Sequence, residues 1–226
     1  MLPRVRVDAT SRHTATIVWL HGLGASGYDF EPIVPMLDLP HVRFVFPHAP
    51  ERPVTINGGL ELPAWYDITS LDFSDDRANP DDIAETTAEI DEILRAEIDA
   101  GIDSTRVLLV GFSQGGAMAL HVALRFPQPL AGVACLSGYV LQRRETAAQV
   151  SDANRSIPIL CCHGTLDDLV PCDLGKEAYD FLQAKTKSKD IRWEEFAMGH
   201  EVSPEEIEVI ARWLRERLGD AGDDFA

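Results

Sequence analysis

Five short apolar runs that scarcely alternate with polar residues limit what this chain can fold into. They lie at 16–20, 43–46, 106–110, 130–136 and 157–162. Strands facing water on one side alternate with period two, whereas parallel strands covered on both faces read as near-continuous Val, Ile and Leu. A sixth run, 191–196, alternates more clearly and is expected near a sheet edge.

The segments between these runs have helical period. One opens at Asn79-Pro80-Asp81-Asp82, a cap followed by a first-turn proline and two acids suited to the helix dipole. It sets Ile83, Thr87, Ile90, Ile93, Leu94 and Ile98 near one face and closes at Gly101. Another opens at Ser203-Pro204-Glu205-Glu206, a capping-box pattern with Val202 and Ile207 spaced as a hydrophobic staple. Its apolar face continues through Ile210, Ala211, Leu214 and Leu218. Strands alternating with helices predict one doubly wound, mostly parallel α/β sheet with right-handed crossovers. The 226 residues suit a single domain spanning 1–226, with a short acidic tail at 219–226 expected to fray.

A net charge of −17 argues against nucleic acid as a partner and against electrostatic anchoring to an anionic membrane. No stretch approaches the ~20 apolar residues of a membrane span, and the amino-terminal segment lacks a signal-peptide core. Cys135, Cys161, Cys162 and Cys172 show no metal or redox spacing, so a reduced, cytoplasmic setting is the default expectation.

Gly111-Phe112-Ser113-Gln114-Gly115 fits Gly-x-Ser-x-Gly, a pattern that composition alone supplies roughly once in thirteen chains of this length. Its setting is more telling. It follows the 106–110 strand and precedes a helix running from Gly116 toward Pro127, the strand–turn–helix of a nucleophile elbow. There the serine adopts a strained conformation and is exposed at the carboxyl edge of the sheet. A serine hydroxyl needs a base, and the base needs an orienting carboxylate, in chain order Ser, Asp or Glu, His. Three histidines follow Ser113. His121 precedes any candidate acid, and His163 ends a strand too early. His200 lies in the loop between the 191–196 strand and the final helix, where the base belongs. The acid is expected on the 163–171 loop, which offers Asp167 and Asp168; spacing does not choose between them.

Acyl chemistry also needs two backbone donors facing the developing oxyanion. One is expected from Gln114, the residue after the nucleophile, and the other from the loop after an early strand, His21-Gly22-Leu23-Gly24. A metal site from His21, His48, His163 and Asp167 is the competing constellation, but its members have no recognisable ligand spacing.

Together, Leu20-His21-Gly22-Leu23-Gly24, Pro63-Ala64-Trp65-Tyr66-Asp67, Gly111-Phe112-Ser113-Gln114-Gly115-Gly116, His163-Gly164-Thr165-Leu166-Asp167-Asp168 and Met198-Gly199-His200 resemble the phospholipase/carboxylesterase family, which includes acyl-protein thioesterases. They run in the family's order from about residue 15 to 215. The resemblance implies an α/β-hydrolase fold and a catalytic triad of Ser113, Asp167 and His200. It also implies an oxyanion hole from the Leu23 and Gln114 amides, and no metal or organic cofactor. It sets Trp65 at the border of an acyl site that Leu71 and Phe73 line, although a tryptophan there equally suits the core. Thr165 and Asp168 depart from the family's usual residues. The expected activity is cleavage of small carboxylic esters. Hydrolysis of acyl-protein thioesters or lysophospholipids is the alternative on the same site, and a non-catalytic hydrolase-like binding protein ranks last. Exposed apolar residues on the 191–196 edge strand would permit a homodimer.

Overall fold

In the computed structural model, which describes residues 1–70, 72 and 77–219, the apolar runs become the centre of a seven-stranded sheet. Strands β1 (Arg4–Val7), β2 (Ala15–Leu20), β3 (Val42–Pro47), β6 (Val107–Phe112), β7 (Gly132–Leu136), β8 (Ile159–Gly164) and β9 (Ile191–Phe196) stand in the order β1-β3-β2-β6-β7-β8-β9. Every neighbouring pair is parallel except β1 with β3. Strands β4 (Glu51–Val54) and β5 (Leu60–Pro63) form a separate antiparallel hairpin.

The missing polar alternation has a simple cause. Successive side chains alternate between two apolar layers, not between core and water. Val18, Leu20, Leu109 and Cys161 face one layer, and Ile17, Trp19, Val110 and Cys162 face the other. Helices α2 (Pro80–Asp99), α3 (Gln114–Arg125) and α5 (Cys172–Lys185) contribute to the first; α1 (Val34–Leu37) and α6 (Pro204–Leu218) close the second. A short α4 (Arg143–Gln149) lies between β7 and β8 in the chain. This is the α/β-hydrolase fold. Its strand order reverses between β2 and β6, so the loops leaving these two strands open a crevice at the carboxyl edge.

Several expectations are corrected in detail. On α2 the buried face includes Thr86 and Glu97, while Thr87 and Ile98 are only half-buried. Both buried polar groups have partners: Thr86 Oγ1 donates to the Trp65 carbonyl, and Glu97 accepts from Thr16 Oγ1 and Arg43. Strand β9 is indeed an edge, and its apolar residues are half-buried. Ile191 and Trp193 pack half-buried on one layer and Phe196 half-buried on the other, leaving Glu195 exposed. Residues 220–226, most of the expected frayed tail, lie outside the described residues. Among the described residues no helix is long and apolar enough to cross a membrane.

The capping box before α6 is half-formed. Ser203 Oγ accepts the Glu206 amide at 3.2 Å, but the Glu206 carboxyl is fully buried and neither of its oxygens makes a hydrogen bond among the described residues. Burial pushes this carboxyl up to about 8, the nearby Ser203 amide offsetting part of the effect. From about pH 4.5 upward the unfolded chain ionises here while the folded protein holds its proton, so this group lowers stability progressively until the pH passes its folded value. Glu206→Gln is therefore expected to gain stability relative to the parent as pH rises between about 4.5 and 8. The gain is on the order of a few kcal/mol. Urea unfolding across that range checks this, and a pH-independent difference would contradict it.

Candidate active site

Ser113 stands between β6 and α3 with φ 55° and ψ −120°, a conformation a non-glycine residue adopts only under constraint from its surroundings. Its amide donates to the Leu136 carbonyl at 2.8 Å, and its carbonyl accepts the Ala117 amide at 3.1 Å. The flanking glycines are required by backbone contact. A Cβ on Gly111 would run into the Gly115 carbonyl, and one on Gly115 into the carbonyls of Leu20 and His21. The amino end of α3 is thus pressed onto the end of β2, which brings the 21–24 loop beside the serine.

The histidine and the acid arrive from the far side of the sheet. The β8 loop is tied to the β9 loop by Thr165 and Leu166 amides donating to the Phe196 and Met198 carbonyls at 2.8 and 3.0 Å. A Cβ on Gly164 would strike the carbonyls of Met198 and Gly199, so these two loops also meet without room for a side chain. His200 Nε2 lies 2.8 Å from Ser113 Oγ, and His200 Nδ1 lies 2.7 Å from Asp167 Oδ2. A carboxylate there accepts, so Nδ1 carries the proton and Nε2 is left to accept from the serine hydroxyl. Asp167 is held in turn by the Leu169 and Val170 amides, which donate to Oδ1 at 3.0 and 2.8 Å. Asp168 is exposed and takes no part in this chain. The structure thus separates the two aspartates that spacing could not.

A second histidine supports the acid. His163 Nε2 donates to the Val170 carbonyl at 2.8 Å and sits 3.6 Å from Asp167 Oδ2. Burial holds its pKa below the usual imidazole range, so it braces the acid loop as a neutral ring. Its place at a strand end, which removed it from the search for a base, is what puts it there.

Ser113 and His200 open on a cavity of about 330 Å³. Ile56, Ile68 and Val170 give it apolar wall, and Arg77 and Tyr139 add polar character, with the guanidinium 4.3 Å from the Tyr139 ring centre. Leu23 and Gln114 border it too, and among the described residues neither backbone amide donates to a protein acceptor. Trp65 requires a correction: it is fully buried and is not among the residues lining the cavity. Leu71 and Phe73 lie outside the described residues. The competing metal constellation is not assembled. His21 Nε2 accepts the Ala49 amide, His48 Nδ1 accepts the Gly27 amide, and the described residues contain no group of three or more potential ligands set to hold a metal.

A sharp serine turn, a histidine bridging it to a buried carboxylate, and an adjoining cavity are the arrangement that a serine hydrolase would use on this fold. The comparisons narrow the class. The family model described as Phospholipase/Carboxylesterase matches residues 4–218, and the chain belongs to that family. It is 37% identical over 233 residues to acyl-protein thioesterase 1 of Cryptococcus neoformans, covering 96% of this chain and 98% of that protein. Acyl-protein thioesterase 1 of Yarrowia lipolytica is 35% identical over 221 residues, covering 96% and 97%. The crystal structure of Zea mays acyl-protein thioesterase 2 superposes with a TM-score of 0.86 at 31% identity, covering 97% of this chain and all of that one. The protein is a hydrolase acting on ester or thioester bonds.

Gly115→Ala tests the close contact on which the site is built. Forcing a methyl group against the Leu20 and His21 carbonyls is expected to cost about 1–3 kcal/mol of stability, read from urea unfolding. An unchanged midpoint would show that the contact is not tight.

Proposed function

We propose that the protein is an acyl thioesterase working through an acyl-enzyme on Ser113, with acyl groups on protein cysteines as its substrate class. One observation carries the chemistry: the hydrogen-bonded chain Ser113–His200–Asp167 ends at a cavity bordered by two amides that have no protein acceptor among the described residues. The curated relatives, named acyl-protein thioesterases, support the thioester reading over small carboxylic esters. Four unpaired cysteines fit a reducing, cytoplasmic location.

His200 takes the Ser113 proton as Oγ attacks the acyl carbon, and Asp167 stabilises the resulting imidazolium. The Leu23 and Gln114 amides receive the charge that develops on the acyl oxygen. Loss of one such donor typically costs about 2.7–4 kcal/mol of barrier. Collapse of the tetrahedral intermediate breaks the carbon–sulfur bond, and His200 delivers its proton to the departing thiolate. Water then attacks the acyl-enzyme with His200 as base, releasing the acid and restoring Ser113.

Two measurements test this. Asp167→Asn is expected to lower kcat by about 10⁴-fold. Asp168→Asn, on an exposed side chain, is expected to stay within about twofold, and the reverse ranking would overturn the assignment of the acid. An S-acyl peptide should be hydrolysed with higher kcat/KM than its matched oxyester; preference for short-chain oxyesters would return the site to small carboxylic esters.

A further inference from the structure

We propose that Trp65, together with His21, is a positioning device that fixes the Leu23 and Gln114 amides in register with one another. The proposal rests on the acyl-enzyme reading above. It begins from Trp65 as the structure places it, fully buried, away from the cavity wall, and hydrogen-bonded at every polar atom.

The peptide that carries the Leu23 amide follows Gly22, so nothing in its own side chain resists rotation. Its orientation is set by what the Gly22 carbonyl accepts: the Ala25 amide at 3.2 Å within the turn, and the His21 ring. His21 Nε2 accepts the Ala49 amide at 3.0 Å, so that nitrogen carries no proton, and Nδ1–H donates to the Gly22 carbonyl at 2.7 Å. In a trans peptide the carbonyl and the N–H point to opposite sides. Pinning the Gly22 carbonyl on the imidazole therefore sends the Leu23 N–H the other way, where Leu23 borders the cavity. Protonation would keep Nδ1–H but take away the Nε2 acceptor that anchors the ring to the Ala49 amide; burial favours the neutral form.

Trp65 holds this arrangement in place. Its indole N–H donates to the His21 carbonyl at 2.7 Å, and its ring packs against the His21 imidazole with centres 5.0 Å apart. Beyond the loop, the Gly24 amide donates to the Pro63 carbonyl at 2.8 Å, so the same segment anchors both ends of the residues that include Leu23. The other donor is tied to the same point. The Trp65 amide donates to Gln114 Oε1 at 2.8 Å, and Gln114 Nε2 donates to the Tyr66 carbonyl at 2.7 Å. Thr86 of α2 closes the set by donating to the Trp65 carbonyl. Two amides from different strands' loops are thereby referred to one buried residue, the Leu23 loop through its indole and Gln114 through its backbone. An oxyanion site that needs no reorganisation during reaction requires this kind of fixed spacing.

The test uses the full chain and separates ground-state from transition-state binding. Trp65→Phe keeps an aromatic ring and removes only the indole donor and part of the ring area. Expected is a fall in kcat of about ten- to a hundredfold, below the 10²–10³ of deleting a donor outright, with KM within about twofold. Affinity for a trifluoromethyl ketone, whose adduct with serine carries an oxyanion, should fall by the same factor as kcat. Should Trp65→Phe fail to fold, replacing the indole by benzothiophene keeps the shape while removing the N–H, and the same loss is expected. Normal kcat and normal ketone affinity in a folded variant, even with a lowered Tm, would overturn the proposal and leave Trp65 a packing residue. Ser113→Ala measured alongside distinguishes the two layers. Activity in that variant would defeat the acyl-enzyme reading itself, whereas its inactivity beside an undiminished Trp65 variant would defeat the positioning role alone.

Discussion

The site depends on a place where backbone meets backbone with no room for a side chain. At Gly115 the first turn of α3 lies against the carbonyls of Leu20 and His21, and at Gly111 the last stretch of β6 lies against Gly115 itself. These contacts force the chain to reverse direction within the three residues between them, and the sharpest point of the turn is Ser113 at φ 55°. Its unfavourable backbone conformation is held by a hydrogen bond at either end, from its amide to Leu136 and from Ala117 to its carbonyl. The same crowding that strains the serine brings the loop after β2 beside it, so the candidate nucleophile and one candidate oxyanion donor are products of one packing event.

A second crowded contact, at Gly164, repeats this logic on the other side of β7. There the loops after β8 and β9 are locked together, which fixes the separation of Asp167 from His200 at hydrogen-bond distance. Three further hydrogen bonds stiffen the acid loop: two amides onto Asp167 Oδ1, and His163 onto the Val170 carbonyl. The Asp167 and His163 side chains are almost fully buried. A carboxylate so placed is tolerated because its oxygens are satisfied. Glu206 is the counter-example in the same molecule, a buried carboxyl without those partners that retains its proton.

Much of this was legible in the sequence, for identifiable reasons. The strands could be read because burial on both faces selects unbroken Val, Ile and Leu, and β2, β3, β6, β7, β8 and β9 fall on or beside the expected runs. Ser113 and His200 could be read because chain order and strand ends restrict where such residues stand. What stayed hidden depends on side-chain direction and on contacts distant in sequence. Asp167 and Asp168 are adjacent and chemically identical, and only the turn of the loop buries one and exposes the other. The hairpin of β4 and β5 carries Pro53 and Pro63, which weaken any strand signal. Trp65 was misplaced for a related reason. Its proximity to the site is real, but the ring turns beneath the 21–24 loop, and no local pattern reports that its partner is a carbonyl at residue 21.

The central claim is that bond cleavage passes through an acyl group carried on Ser113. Acid-quenching the enzyme during turnover of an S-acyl peptide, followed by proteolysis and mass spectrometry, addresses it directly. The account predicts an acyl mass increment confined to the peptide containing Ser113, appearing within the first turnover. An increment on another residue, or sustained turnover with Ser113 unmodified throughout, would contradict it.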